Sequence, residues 1–131
     1  VKGIGVPQNY RQAASFFRSS AEQGLRDSAY ELAVLYTRGE GVEFDQSEAV
    51  KWFGAAAHAG HVRSQFSMGV IYEEGRGVPV DLARAYFWYS IAAVRGHMTG
   101  ERNRYRLAPE LSVEQLNKVR RSLSEWRDRI P

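Results

Sequence analysis

Three histidines and one pair of adjacent carboxylates are the side chains best suited to chemistry in this chain of 131 residues. His61 and His97 each follow a glycine, Gly60 and Gly96, at matching places in the sequence, and His58 is the third. An imidazole can ligate a metal or move a proton near neutral pH. Two histidines at equivalent places, one internal repeat apart, are expected instead to be loop or helix-cap residues. Glu73 and Glu74 are neighbours on an expected helix, so their side chains point about 100° apart. That is a poor acid–base dyad, and both are expected on a solvated face. The chain has no cysteine, which removes disulfides, thiolate metal sites and cysteine nucleophiles together. It contains no Ser-x-x-Lys and no His-Glu-x-x-His. Its Gly-x-Gly pairs follow helices rather than strands and do not read as phosphate cradles. No catalytic residue, no bound cofactor and no metal is expected.

The elements that would carry these residues are set by an internal repeat. Shifted by about 36 residues, the stretch from Ser28 to Arg63 falls on Ser64 to Thr99, with roughly 13 identities where chance gives two or three. Gly39, Gly41, Val42, Asp45, Ala49, Trp52, Ala56, Ala57, Gly60 and His61 all meet their own kind in the second copy. A partial earlier copy opens the chain, with Gly3, Gly5 and Val6 at the turn and Asn9, Ala13, Phe16, Phe17, Ala21 and Gly24 in the helix that follows. The division is then a partial repeat at 1–27, repeats at 28–63 and 64–99, and a degenerate repeat with a capping helix at 100–131. A tandem of this period implies a solenoid, in which each unit buries its apolar face on its neighbours.

Within each copy the apolar spacing is helical. Asn9 is the expected N-cap of a helix reaching about Gln23, with Gly24 ending it. A second helix starts at Asp27 or Ser28 and carries the stripe Ala29, Leu32, Ala33, Leu35, Tyr36. Gly39 and Gly41 should turn the chain with positive φ at one or both. Val42 and Phe44 are expected to tuck back onto the helix pair. Asp45, with Glu48 three residues on, has capping-box spacing and opens a helix carrying Ala49, Trp52, Phe53, Ala56 and Ala57. The next copy repeats this with Phe66, Met68, Gly69, Ile71 and Tyr72, then a cap at Asp81, then Ala85, Trp88, Tyr89, Ala92 and Ala93. After His97 the pattern decays: Arg102 and Arg104 stand where earlier copies are apolar. Leu107-Ala108-Pro109 breaks the helix. Ser112 and Gln115 have capping-box spacing again and open a last helix with the stripe Val113, Leu116, Val119, Leu123, Trp126, Ile130.

The net charge is +3, with the excess late in the chain and acidic residues interspersed. That mixture describes a solvated helix face, so no nucleic-acid partner is expected. No apolar run approaches the ~20 residues of a membrane span, and no opening segment resembles a signal peptide. Val1 falls in the middle of a repeat, which points to a piece of a longer chain. The absence of cysteine fits a reducing compartment and is also found in exported proteins, so the compartment stays open.

From Leu32 to Gly60 the chain reads Leu-Ala-x-x-Tyr-x-x-Gly-x-Gly-Val-x-x-Asp-x-x-x-Ala-x-x-Trp-Phe-x-x-Ala-Ala-x-x-Gly, and from Met68 to Gly96 it keeps that frame. This resembles the Sel1-like repeat, a relative of the tetratricopeptide repeat, over about the first hundred residues. The resemblance implies an all-α fold: an α/α superhelix of antiparallel helix pairs closed by a C-terminal capping helix. It implies a non-catalytic scaffold or adaptor that binds a protein or peptide, in bacteria within signalling, polarity or cell-envelope regulation. The cysteine-rich branch of the family does not fit this chain, and the penicillin-binding activity ascribed to that branch is not carried over. By position the concave, partner-binding face would comprise Tyr30, Val34, Thr37 and Arg38, then Phe66, Val70, Glu73 and Glu74, then Arg102 and Arg106. Tyr30 and Phe66 have a second reading, as residues that simply pack between helices. The alternative function is a structural spacer or oligomerisation unit within a larger protein.

Overall fold

A computed structural model describes residues 6–129 of the chain. The turn expected at Gly3 and Gly5, and Ile130 in the last apolar stripe, lie outside them. Among the described residues the structure is helical with no strand, and it divides into two compact units, Val1–Ser64 and Gln65–Pro131.

In the first unit α1 spans Val6–Glu22, α2 Arg26–Arg38 and α3 Gln46–His58. Helix α1 starts earlier than expected, so Asn9 lies inside it and is not its cap. Pro7 falls in the first turn, where a missing N–H forfeits no helical bond. The buried positions of α1 include Ala14, Ser20 and Ala21, while Phe16, expected on that face, is 65% exposed. Helix α2 buries Ala29, Leu32, Ala33, Leu35 and Tyr36, and α3 buries Ala49, Trp52, Phe53, Ala56 and Ala57. These are the two expected stripes, residue for residue. The alanines bring the helix axes close, and the aromatic rings fill the space beside them.

The α2–α3 turn shows why two glycines are needed. Gly39 and Gly41 have φ of 65° and 78°, where a side chain is strained. At Gly41 a Cβ would also run into the Tyr10 carbonyl. The Asp45 carboxylate accepts the Glu48 N–H at 3.1 Å. The Asp45 N–H, however, donates to the Tyr36 carbonyl at 3.2 Å. This backbone bond takes the donor that a full capping box would give to the Glu48 side chain. The turn is thus closed by backbone. Phe44 does not tuck back as expected and is 65% exposed.

In the second unit are α4 (Val62–Glu74, entering from the first), α5 (Leu82–Val94), α6 (Met98–Leu107), a 3-10 turn at Ala108–Glu110, and α7 (Val113–Arg129). The α4–α5 turn copies its predecessor: Gly75 and Gly77 have φ of 71° and 77°. Asp81 accepts from the Arg84 N–H at 3.0 Å and donates to the Tyr72 carbonyl at 2.9 Å. The core holds Ala85, Tyr89 and Leu107, with Phe66, Val70, Tyr72, Leu82 and Tyr86 packed against it. Helix α5 buries Ser90 and Ile91 as well, outside its expected stripe.

Ser112 and Gln115 form the complete reciprocal cap of α7. Ser112 Oγ accepts the Gln115 N–H at 3.0 Å, and the Gln115 side chain accepts the Ser112 N–H at 2.9 Å. Of the expected α7 stripe, Val119 is buried, but Val113 is 74% exposed. Trp126 meets Trp88 edge-on at 5.5 Å and Phe87 at 6.0 Å, which docks the capping helix on α5.

Candidate functional site

The glycine turns between hairpins set the place of the histidines. At each, a backbone N–H reaches back five residues to close the helix: Leu25 to Ser20, His61 to Ala56, His97 to Ala92. This is the Schellman arrangement, with Gly24, Gly60 and Gly96 in its left-handed position. The residue after the glycine then begins the next helix. His61 Nδ1 accepts the Ser64 N–H at 3.2 Å, opening α4, and His97 Nδ1 accepts the Gly100 N–H at 3.0 Å, opening α6. Both histidines are caps.

Each cap also supports an aromatic ring from the first helix of a hairpin. Tyr30 lies 4.8 Å from His61 and 5.8 Å from Phe53. Phe66 stacks on His97 at 4.4 Å and lies 5.6 Å from Tyr89. Both are half-buried. The packing reading of these two aromatics therefore has named contacts.

His61 has a further pair of neighbours that resemble a nucleophile triad. Ser64 Oγ is 2.8 Å from Nδ1, and Asp27 Oδ1 is 3.5 Å from Nε2. The chemistry of a triad does not follow. Ser64 is fully buried, so no substrate carbonyl reaches its hydroxyl. Nδ1 is also committed to a backbone N–H and is not a general base poised for proton transfer. Burial, the larger cause, and the nearby Arg26 and Arg63 hold the His61 pKa below its ordinary 6.5, against Asp27 and Glu31, which pull it up.

The remaining expected binding residues separate into groups. Val34 and Thr37 are half-buried on α2, and the Thr37 hydroxyl donates to the Ala33 carbonyl at 3.0 Å. Arg38 faces solvent with Glu40 at 3.8 Å. Val70 packs on the second unit's core. Glu73 is not on a solvated face as expected. Its carboxylate accepts from the Tyr89 hydroxyl at 2.8 Å and pairs with Arg106 at 2.7 and 2.9 Å. Arg106 chiefly lowers the Glu73 pKa, while burial and then Glu73 raise that of Tyr89. So the fold brings Glu73 and Arg106 together, 33 residues apart in sequence. Glu74 is exposed and pairs with Arg76 at 2.6 Å. Arg102 is exposed, with Thr99 Oγ1 at 3.3 Å. Among the described residues no cluster of three or more His, Cys, Asp or Glu side chains could hold a metal.

One grouping was missed from sequence. Arg104 is half-buried and donates to Ser90 Oγ at 3.1 Å, Glu101 Oε1 at 3.2 Å and the Tyr86 hydroxyl at 3.3 Å. It lines a cleft of about 510 Å3 among α5, α6 and α7. The signal was the arginine itself, standing where Leu32 and Met68 stand in the earlier copies, which reads on sequence alone as decay of the repeat.

Hairpins built twice on one plan, joined by the same glycine turns and the same caps, define an all-α tandem-repeat protein. The chain belongs to the Sel1 repeat family, whose repeat matches residues 1–25, 26–61 and 62–97. It is similar to the crystal structure of a protective antigen present in uropathogenic Escherichia coli strains that displays an SLR fold. The TM-score is 0.87 at 26% identity, over 95% of this chain and 27% of that one. It is also similar to a Sel1 repeat protein from Oxalobacter formigenes, with a TM-score of 0.62 at 38% identity over 63% of each chain. The chain thus spans about a quarter of the length of the first and under two thirds of the second. No curated protein matches it. Sel1 repeats form non-catalytic scaffolds, generally for protein–protein interaction. No helix among the described residues is long and apolar enough to cross a membrane.

Proposed function

We propose that this chain is a protein-interaction module that takes a peptide or protein partner on the first helix of each hairpin, as part of a bacterial signalling, polarity or cell-envelope regulator. The residues assigned to the partner are Tyr30, Val34, Thr37 and Arg38 on α2, Phe66, Val70, Glu73 and Glu74 on α4, and Arg102 and Arg106 on α6. The reading is carried by the division of labour between repeated and unrepeated side chains. The repeated Ala49/Ala85, Trp52/Trp88 and Ala56/Ala92 are all buried, while Arg38, Glu74 and Arg102 are exposed and change from copy to copy. On α2 and α4, exposed charged residues next to half-buried apolar ones suit a peptide or helix.

The test uses exposed positions, because Tyr30 and Phe66 also support the caps. The Arg38→Glu, Glu74→Lys, Arg102→Glu triple variant should fold normally and recover much less partner from a bacterial lysate than the intact chain. Equal recovery would count against this surface.

The spacer or oligomerisation reading has its own observation. Phe16 is 65% exposed, although its counterparts Trp52 and Trp88 are 8% and 5% exposed. It sits edge-on to Phe17 at 5.6 Å, an apolar pair suited to burial against another copy. Light scattering across concentrations tests the oligomerisation half of this reading: a dimer dispersed by Phe16→Lys favours it, and a monomer throughout removes it.

A further inference from the structure

The cleft among α5, α6 and α7 lies wholly within the second unit and shares no residue with the surface proposed above. In the earlier copies the place of Arg104 is apolar: Leu32 and Met68, which stand there, are 0% and 5% exposed. Placing a charge at such a position is costly unless partners are supplied. Here they are supplied as a set. Ser90 stands where the preceding copy has Gly54, Tyr86 where it has Val50, and Glu101 where it has Gln65, and all three hydrogen-bond Arg104. The arginine is built in rather than left over.

We propose that this cleft binds an acidic peptide segment, seating an Asp or Glu carboxylate on Arg104 and a neighbouring apolar side chain against Trp126. The charge lining the cleft is Arg95, Arg104 and Arg127 against Glu101, three positive against one negative. A guanidinium has five N–H donors in a planar fork that matches a carboxylate, and the three side-chain partners use three of them. Ile91 is 5% exposed and Val94 84% exposed, so the apolar part runs from the cleft floor to its rim, with Leu123 and Trp126 on the α7 side. The volume of about 510 Å3 holds two or three side chains and falls in the usual range of ligand sites. The partner is a peptide rather than a nucleic acid because the cleft sets the apolar Ile91, Val94 and Leu123 beside its cations, and these suit an aliphatic side chain next to a carboxylate rather than a chain of phosphates.

The experiment is an NMR titration of the whole chain with acetyl-Glu-Leu-Glu-Leu-amide and, separately, its Gln-for-Glu counterpart. Expected are saturable shifts at Ser90, Val94, Glu101 and the Trp126 indole with the acidic peptide alone, weakening as salt rises. Arg104→Met restores the residue of the preceding copy and should weaken binding at least about tenfold. Arg127→Glu, at an exposed position, should do the same without touching the core. Equal shifts from both peptides, shifts confined to α2 and α4, no saturable shift, or full affinity in both variants would overturn the proposal.

Discussion

The ring of His61 rests against that of Tyr30, 4.8 Å between centroids, while its Nδ1 accepts the Ser64 N–H at 3.2 Å. That nitrogen must carry no proton, so the Nε2–H faces Asp27 at 3.5 Å. Protonation destroys the cap. Because burial first, with Arg26 and Arg63, keeps the folded pKa below 6.5 despite Asp27 and Glu31, the stability carried by neutral His61 is complete above that pH. It is lost as the pH falls through the lowered folded value. His61→Asn keeps a cap that does not titrate. Thermal melts from about pH 8 to pH 5 should therefore fall more steeply for the native chain than for His61→Asn. Parallel curves would refute this.

Leu25 occupies the same place as His61 and His97 but has no side-chain cap on α2, and it is 55% exposed. Its φ of −79° and ψ of 111° already suit a cap residue. Leu25→Asn should stabilise the chain by about 1 kcal/mol, read as a higher urea midpoint at unchanged slope. No gain would mean that Leu25 makes an apolar contact worth as much as the missing bond.

Gly69 stands in the second copy where the first has Ala33. A Cβ there would lie 2.5 Å from two carbons of the Tyr89 ring. That ring is 1% exposed and tied to Glu73 by its hydroxyl, so it has little room to move. Gly69→Ala should destabilise by about 1–3 kcal/mol through overpacking, despite alanine's better helix propensity. The same denaturation measurement checks it. A stabilised Gly69→Ala chain would show that the ring yields.

Trp52 is 8% exposed on α3. Replacing it by alanine should cost about 3–5 kcal/mol, while Trp52→Phe, which keeps most of the apolar volume, should cost far less. Calorimetry of both variants separates a packed core residue from one at a tolerant surface, where the two would scarcely differ.

Much of the architecture was legible because repetition multiplies weak signals. The α2 and α3 stripes, the paired positive-φ glycines, the Asp45 and Asp81 caps and the Ser112–Gln115 box depend on residues a few positions apart, where helical geometry alone decides who meets whom. The errors came where local geometry is silent. Phe16 and Val113 have the right spacing to be buried, but spacing says nothing about whether a neighbour covers them. Phe44 was expected to anchor a turn that the backbone closes without it. Glu73 reads as solvated until Arg106 arrives from another helix.

The sequence by itself determined the period, the helices, their turns and which side chains form the repeated frame, since each follows from steric and hydrogen-bonding preferences acting over a few residues. Only the tertiary structure decided what the unrepeated residues do: that the histidines hold aromatic rings as well as caps, that Glu73 is an ion-pair partner, and that Arg104 is embedded in a polar cleft. Those roles depend on groups brought together from separate helices, and the free energy of a buried charge or ring is set by that company rather than by its own type.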